Sequence, residues 1–110
     1  MIRLLTLALL LLLPVAAEAI QATITWSDDG LNPTRVERRD GPDSAPFVVV
    51  APSIPAGVRS FNEGGLALST RYCYRPVKFN AFGDAPTSPV LCGQADPANP
   101  ASGVTIIFGP

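Results

Sequence analysis

Cys73 and Cys92 are the residues of this chain best placed to do chemistry, and that chemistry is a disulfide bond; two free thiols are the alternative. Histidine is absent altogether, which removes the commonest general base and the commonest metal ligand. Asp28-Asp29-Gly30 has the look of a calcium-loop fragment, but the remaining spaced oxygen ligands are missing, so it reads as a turn. Trp26 could serve as a stacking platform for a sugar. Its in-phase neighbour Ile24 assigns it to the core instead. Arg35, Glu37 and Arg39 share one strand face and read as solvated charges, with an ionic patch for a partner as the sharper alternative. No nucleophile–base pair, phosphate loop or metal set is recognisable. The expectation is a protein that is not an enzyme and uses no cofactor.

The elements that must position these residues begin after an N-terminal leader. Met1-Ile2-Arg3 supplies a positive start, residues 4–15 a leucine-rich run, and Ala17-Glu18-Ala19 a small-x-small cleavage site. Residues 1–19 therefore read as a signal peptide, and the mature chain is expected to begin near Ile20, in the periplasm or outside the cell. An uncleaved membrane anchor is the competing reading. The run falls short of the roughly 20 residues a span needs, so no transmembrane segment is expected once the leader is removed. An oxidising compartment makes one intrachain disulfide the default for an even pair of cysteines. The net charge of −1, with no basic stripe, removes the electrostatic footprint of a nucleic-acid binder.

From residue 20 onward the patterning is that of short strands. Ala22-Thr23-Ile24-Thr25-Trp26 alternates, and Ser27-Asp28-Asp29-Gly30 stops it. Residues 34–39 form a second strand, expected to be mostly solvated with Val36 as its core contact. Phe47-Val48-Val49-Val50 is a third, closed by Pro52 and Pro55 in a manner that suits a sheet edge. Residues 60–75 hold a glycine-containing corner followed by Tyr72-Cys73-Tyr74-Arg75, which puts the tyrosines on one face and Cys73 and Arg75 on the other. A tyrosine just after such a corner can return its hydroxyl to upstream backbone, as in the tyrosine corner of Ig-like sandwiches. The strand over 70–79 returns through a loop at 80–86 to a strand over 87–92. A hairpin centred between Phe82 and Gly83 sets Cys73 opposite Cys92, within disulfide reach and outside the core. Residues 93–102 read as a linker rich in Pro, Ala and Asn, and Val104-Thr105-Ile106-Ile107-Phe108 as a final strand. The fold class is all-β.

Taken together, Trp26, Val36-Glu37-Arg38, Phe61-Asn62-Glu63, Leu66, Tyr72-Cys73-Tyr74-Arg75, Asn80 and Gly83 resemble a fibronectin type III domain. The resemblance covers residues 22–92 and implies an Ig-like antiparallel β-sandwich spanning 20–93, with Trp26, Leu66, Tyr72 and Tyr74 in its core. It also implies a role in adhesion or receptor contacts. Three departures stand out. The family's opening strand has no counterpart before Ala22, so it is missing or replaced by the C-terminal strand. Pro76 falls inside a central strand, where a bulge or a locally unpaired neighbouring carbonyl is expected. Lys78 falls on the inward phase.

Two functional expectations follow. The first is a binding module that meets another protein or an extracellular polymer through the loops bearing Asp29, Phe82 and Asp84, with Phe82 at a loop tip. Packing of Phe82 over the end of the core is the plainer alternative. The second is a structural or assembly subunit acting through the C-terminal strand (residues 104–108) of the segment 94–110, which either folds back or joins a neighbour's sheet and so oligomerises the protein.

Overall fold

The computed structural model describes residues 20–86 and 88–109; the expected signal peptide, residues 1–19, lies outside the described residues. Among the described residues eight strands follow one another: β1 (Ile20–Thr25), β2 (Thr34–Asp40), β3 (Val48–Ile54), β4 (Ser60–Leu66), β5 (Tyr72–Asn80), β6 (Gly83–Asp84), β7 (Leu91–Gly93) and β8 (Val104–Ile107), with one 3₁₀ turn at Pro100–Ser102. They make two packed sheets. One has the order β4-β1-β8. The other runs β3-β2-β5, with β6 and β7 pairing successively with the far side of β5. This is an all-β sandwich compatible with an Ig-like domain.

Period-two alternation explains the core. Ile20, Ala22 and Ile24 of β1 point inward, and Gln21 and Thr23 point out. Val36, Tyr72, Tyr74, Trp26, Leu66, Val104, Ile106 and Phe108 meet them between the sheets. The corner between β4 and β5 is closed by the Tyr72 hydroxyl, which accepts the backbone N–H of Ala67 at 2.7 Å. Cys73 and Cys92 are directly opposite in the β5–β7 ladder and are disulfide-bonded. Cys73 is fully buried, yet it stands on the outer face of its sheet and apart from the core cluster.

The hairpin carrying the disulfide is not the continuous one expected. Asn80 pairs with Gly83, so the turn is Ala81-Phe82, one residue earlier than the centre read from the sequence. The chain leaves β5 after Ala85 and rejoins it at β7, and the detour restores the register that sets Cys73 against Cys92. Pro76 sits opposite this detour. Phe79 donates its N–H to Pro33 of the β2 side, so odd-numbered residues of β5 face β2 and Pro76 faces away. Its missing donor therefore falls in the gap between β6 and β7, and the β2–β5 register runs past it with no bulge.

Three further expectations are corrected. β2 is not a mostly solvated strand: paired on both sides, it buries Thr34 and Glu37 as well as Val36. β3 runs through Pro52 to Ile54 and does not stop before it, because it is the edge strand and register shifts along its pairing with β2 accommodate the ring. The segment over 94–103 is not a free linker. It buries Ala95 and turns at Gly103, where a Cβ would lie 2.2 Å from the Gln21 carbonyl oxygen. β8 then pairs with β1 in parallel, from Ala22 opposite Val104 to Thr25 opposite Ile107. Among the described residues, the C-terminal strand is thus the neighbour of β1 on the side away from β4.

Candidate functional site

One pole of the sandwich gathers the residues singled out as binding-loop candidates. The loop from β1 to β2 is shaped by two consecutive aspartates. Asp29 accepts the N–H groups of Leu31 (2.8 Å) and Asn32 (3.2 Å), an Asx-turn arrangement that fixes the loop from within. Its carboxylate is committed to backbone, and its pKa is lowered chiefly by the Leu31 bond. The adjacent Asp28 ties three segments together. It accepts from Lys78 Nζ on β5 (2.9 Å), from its own loop at Gly30 N (3.1 Å), and from Gly57 N between β3 and β4. The Lys78 bond, joined by those backbone donors, lowers its pKa from 3.8 to about 2. Lys78 thus resolves its inward phase by running its stem along the pole and delivering its ammonium to a carboxylate.

The second loop is the two-residue β5–β6 turn. Asn80 Oδ1 accepts the Phe82 N–H at 2.8 Å, and Asp84 is gripped by both terminal nitrogens of Arg35 at 3.1 and 2.8 Å. That fork lowers the Asp84 pKa and makes the residue a brace for the turn. Phe82 does not pack over the core: it is 99% exposed. Leu31, which was not singled out in the sequence, is 79% exposed on the neighbouring loop. A cleft of about 310 Å³ lies between the two loops, lined by Asn32, Lys78, Phe79, Asn80, Phe82 and Asp84. The pole therefore offers two apolar side chains on loops braced from within, with a shallow cleft of mixed polarity beside Phe82. Its signal in the sequence was an apolar residue embedded in turn chemistry, at Asp29-Gly30-Leu31-Asn32 as at Asn80-Ala81-Phe82-Gly83.

A second ordered surface covers the outer face of the larger sheet. Glu37 is bonded by Arg35 (2.8 Å) and by Arg75, and these guanidiniums overcome the opposing effect of burial to lower its pKa. The guanidinium carbons of Arg39 and Arg75 lie 4.6 and 4.0 Å from the Phe47 ring centroid. The charges read as solvated are thus an interlocked roof, and Phe47 is the residue that sequence reasoning missed. At the opposite strand end Tyr74 donates its hydroxyl to Glu63 (2.7 Å), which also pairs with Arg38 at 2.6 Å. Burial, then Glu63, raises the Tyr74 pKa, so the phenol stays protonated.

Among the described residues no group of three or more His, Cys, Asp or Glu side chains is placed to hold a metal ion. No helix among them is long and apolar enough to cross a membrane. Trp26, Leu66, Tyr72 and Tyr74 are all buried, which leaves Phe82 as the exposed aromatic at the pole. No protein-family model, curated protein or solved structure matches the chain.

Proposed function

We propose that this protein is an exported, non-catalytic binding or adhesion module of fibronectin type III type. It engages another protein or an extracellular polymer through the pole that carries Leu31 and Phe82. The observation that carries this reading is the full exposure of Phe82 on a two-residue turn braced by Asn80 and by the Arg35–Asp84 fork. An aromatic held out on a rigid scaffold loses little entropy when it is buried by a partner, which is why such residues dominate binding energetics. The disulfide suits a secreted or periplasmic location, and the leader read at residues 1–19 agrees with export. The quoted residue pattern from Trp26 to Gly83 supports the fibronectin type III assignment over other sandwiches.

The test compares the wild-type protein with a Leu31→Ser/Phe82→Ser variant, each immobilised and exposed to the secreted and envelope fractions of the source cells. A species held by the wild type and released by the variant, at matched thermal stability, supports the reading. Equal retention by both, or no retention by the wild type, counts against it. The second reading is a structural or assembly subunit acting through Val104-Thr105-Ile106-Ile107-Phe108. It keeps one observation in its favour, the outer edge of β8, which no strand among the described residues covers.

A further inference from the structure

The phase of β8 decides where its backbone groups point. Phe108 donates its N–H to Thr25 of β1 at 2.9 Å. In a parallel ladder alternate residues face alternate sides, so Val104 and Ile106 also turn their peptide groups toward β1. Thr105 and Ile107 turn theirs outward. β8 pairs only with β1 among the described residues, and these outward donors and acceptors line the open margin of the three-stranded sheet. The side chains of Thr105 and Ile107 are exposed as well, Ile107 by 68%.

Sheet edges are normally blunted by proline, bulges or charge. The edge strand β3 carries Pro52 and register shifts, and the edge strand β4 carries Glu63 and a register shift opposite β1. The margin of β8 has none of these. Its register with β1 is unbroken, and no charged residue occurs anywhere in 97–109. We infer that the outer edge of β8 is a dimerisation seam that pairs antiparallel with β8 of a second copy of this chain.

A second copy fits because the edge is complementary to itself. With Ile106 on the two-fold axis, Thr105 of one copy stands opposite Ile107 of the other, and each such pair exchanges both of its ladder hydrogen bonds. A two-fold axis sets the strand against its own copy, so a strand carrying charge of one sign would meet like charge there. The absence of charge over 97–109 removes that penalty. The two exposed apolar side chains at position 107 then pack across the seam against Thr105 of the partner copy. A seam this short makes a weak, concentration-dependent dimer.

Sedimentation of the purified protein across a concentration series tests this. The mass should climb from monomer toward dimer between about 10 µM and 1 mM. Thr105→Pro removes an N–H that faces away from β1, so it should weaken dimerisation about tenfold or more while leaving the monomer folded. Ile107→Lys, which places like charges on the seam and leaves the backbone pairing with β1 in place, should do the same if the proline variant does not fold. A wild type that stays monomeric throughout overturns the inference. So does dimerisation of the folded variants at wild-type concentrations. Leu31→Ser/Phe82→Ser should dimerise normally, which separates this seam from the binding pole.

Discussion

Tyr72 and Asp28 each hold a place where several segments meet, and each does so through bonds to backbone N–H groups. The Tyr72 hydroxyl is the partner of the Ala67 N–H at the corner between β4 and β5. Tyr72→Phe keeps the buried ring and strands that donor, so a loss of about 1–2 kcal/mol is expected in chemical denaturation, with little change in the spectrum of the native state. Asp28 anchors Lys78, Gly30 and Gly57. Its folded pKa of about 2 lies below the ordinary 3.8, so its contribution to stability is complete above about pH 4 and is lost as pH falls toward 2. Asp28→Asn should therefore lower the melting temperature at neutral pH and flatten the acid limb between pH 4 and 2. Some of that limb should survive, because Asp29, Glu37, Asp43 and Asp84 are shifted in the same direction. An unchanged acid limb would show that Asp28 is not the anchor described.

The β5–β7 ladder shows what the disulfide does at the scale of an element. β7 is three residues long and among the described residues pairs only with β5, so its ladder alone holds it weakly. Closing the loop between Cys73 and Cys92, 19 residues apart, adds about 3 kcal/mol in the chain-entropy account. Reduction or a Cys73→Ala/Cys92→Ala variant should lower the melting temperature by about 12 to 24 °C in a domain of this size. A reduced protein that melts within a few degrees of the oxidised one would assign the stability of the hairpin to packing alone. The same ladder explains why a proline is tolerated in the middle of β5. Its missing donor faces the stretch where the chain has left the sheet, and β2 on the other side loses no bond.

For the whole molecule, β8 completes the smaller sheet. Val104, Ile106 and Phe108 are all buried, and together with β1 they roof the core from Ile24 to Tyr74. Removing the chain after Ala101 forfeits roughly 5 to 9 kcal/mol of apolar burial. That is comparable to the entire stability of a small domain. The truncated protein should show no cooperative thermal transition by circular dichroism. A truncated chain that melts normally would mean the sandwich closes without its terminal strand. The Leu31→Ser/Phe82→Ser variant belongs at the other extreme. Both side chains stand in solvent, so its stability should stay within about 0.5 kcal/mol of the wild type, and any loss of binding can be read as lost contact.

The amino-acid order by itself determined the phase of β1 and β5, the tyrosine at the corner and the pairing of Cys73 with Cys92. Each rests on period-two alternation or, for the disulfide, on the chain holding two cysteines and so one possible intrachain pairing. The exposure of Phe82 was open to two readings, because a loop-tip aromatic can lie over the core or stand away from it. Only the tertiary structure decided that, along with the burial of β2 and the stacking of Phe47 against Arg39 and Arg75. It also decided that the final strand lies parallel to the first. These outcomes depend on which strands become neighbours across long separations in sequence. No local pattern encodes that choice; it follows from how the two sheets share one core.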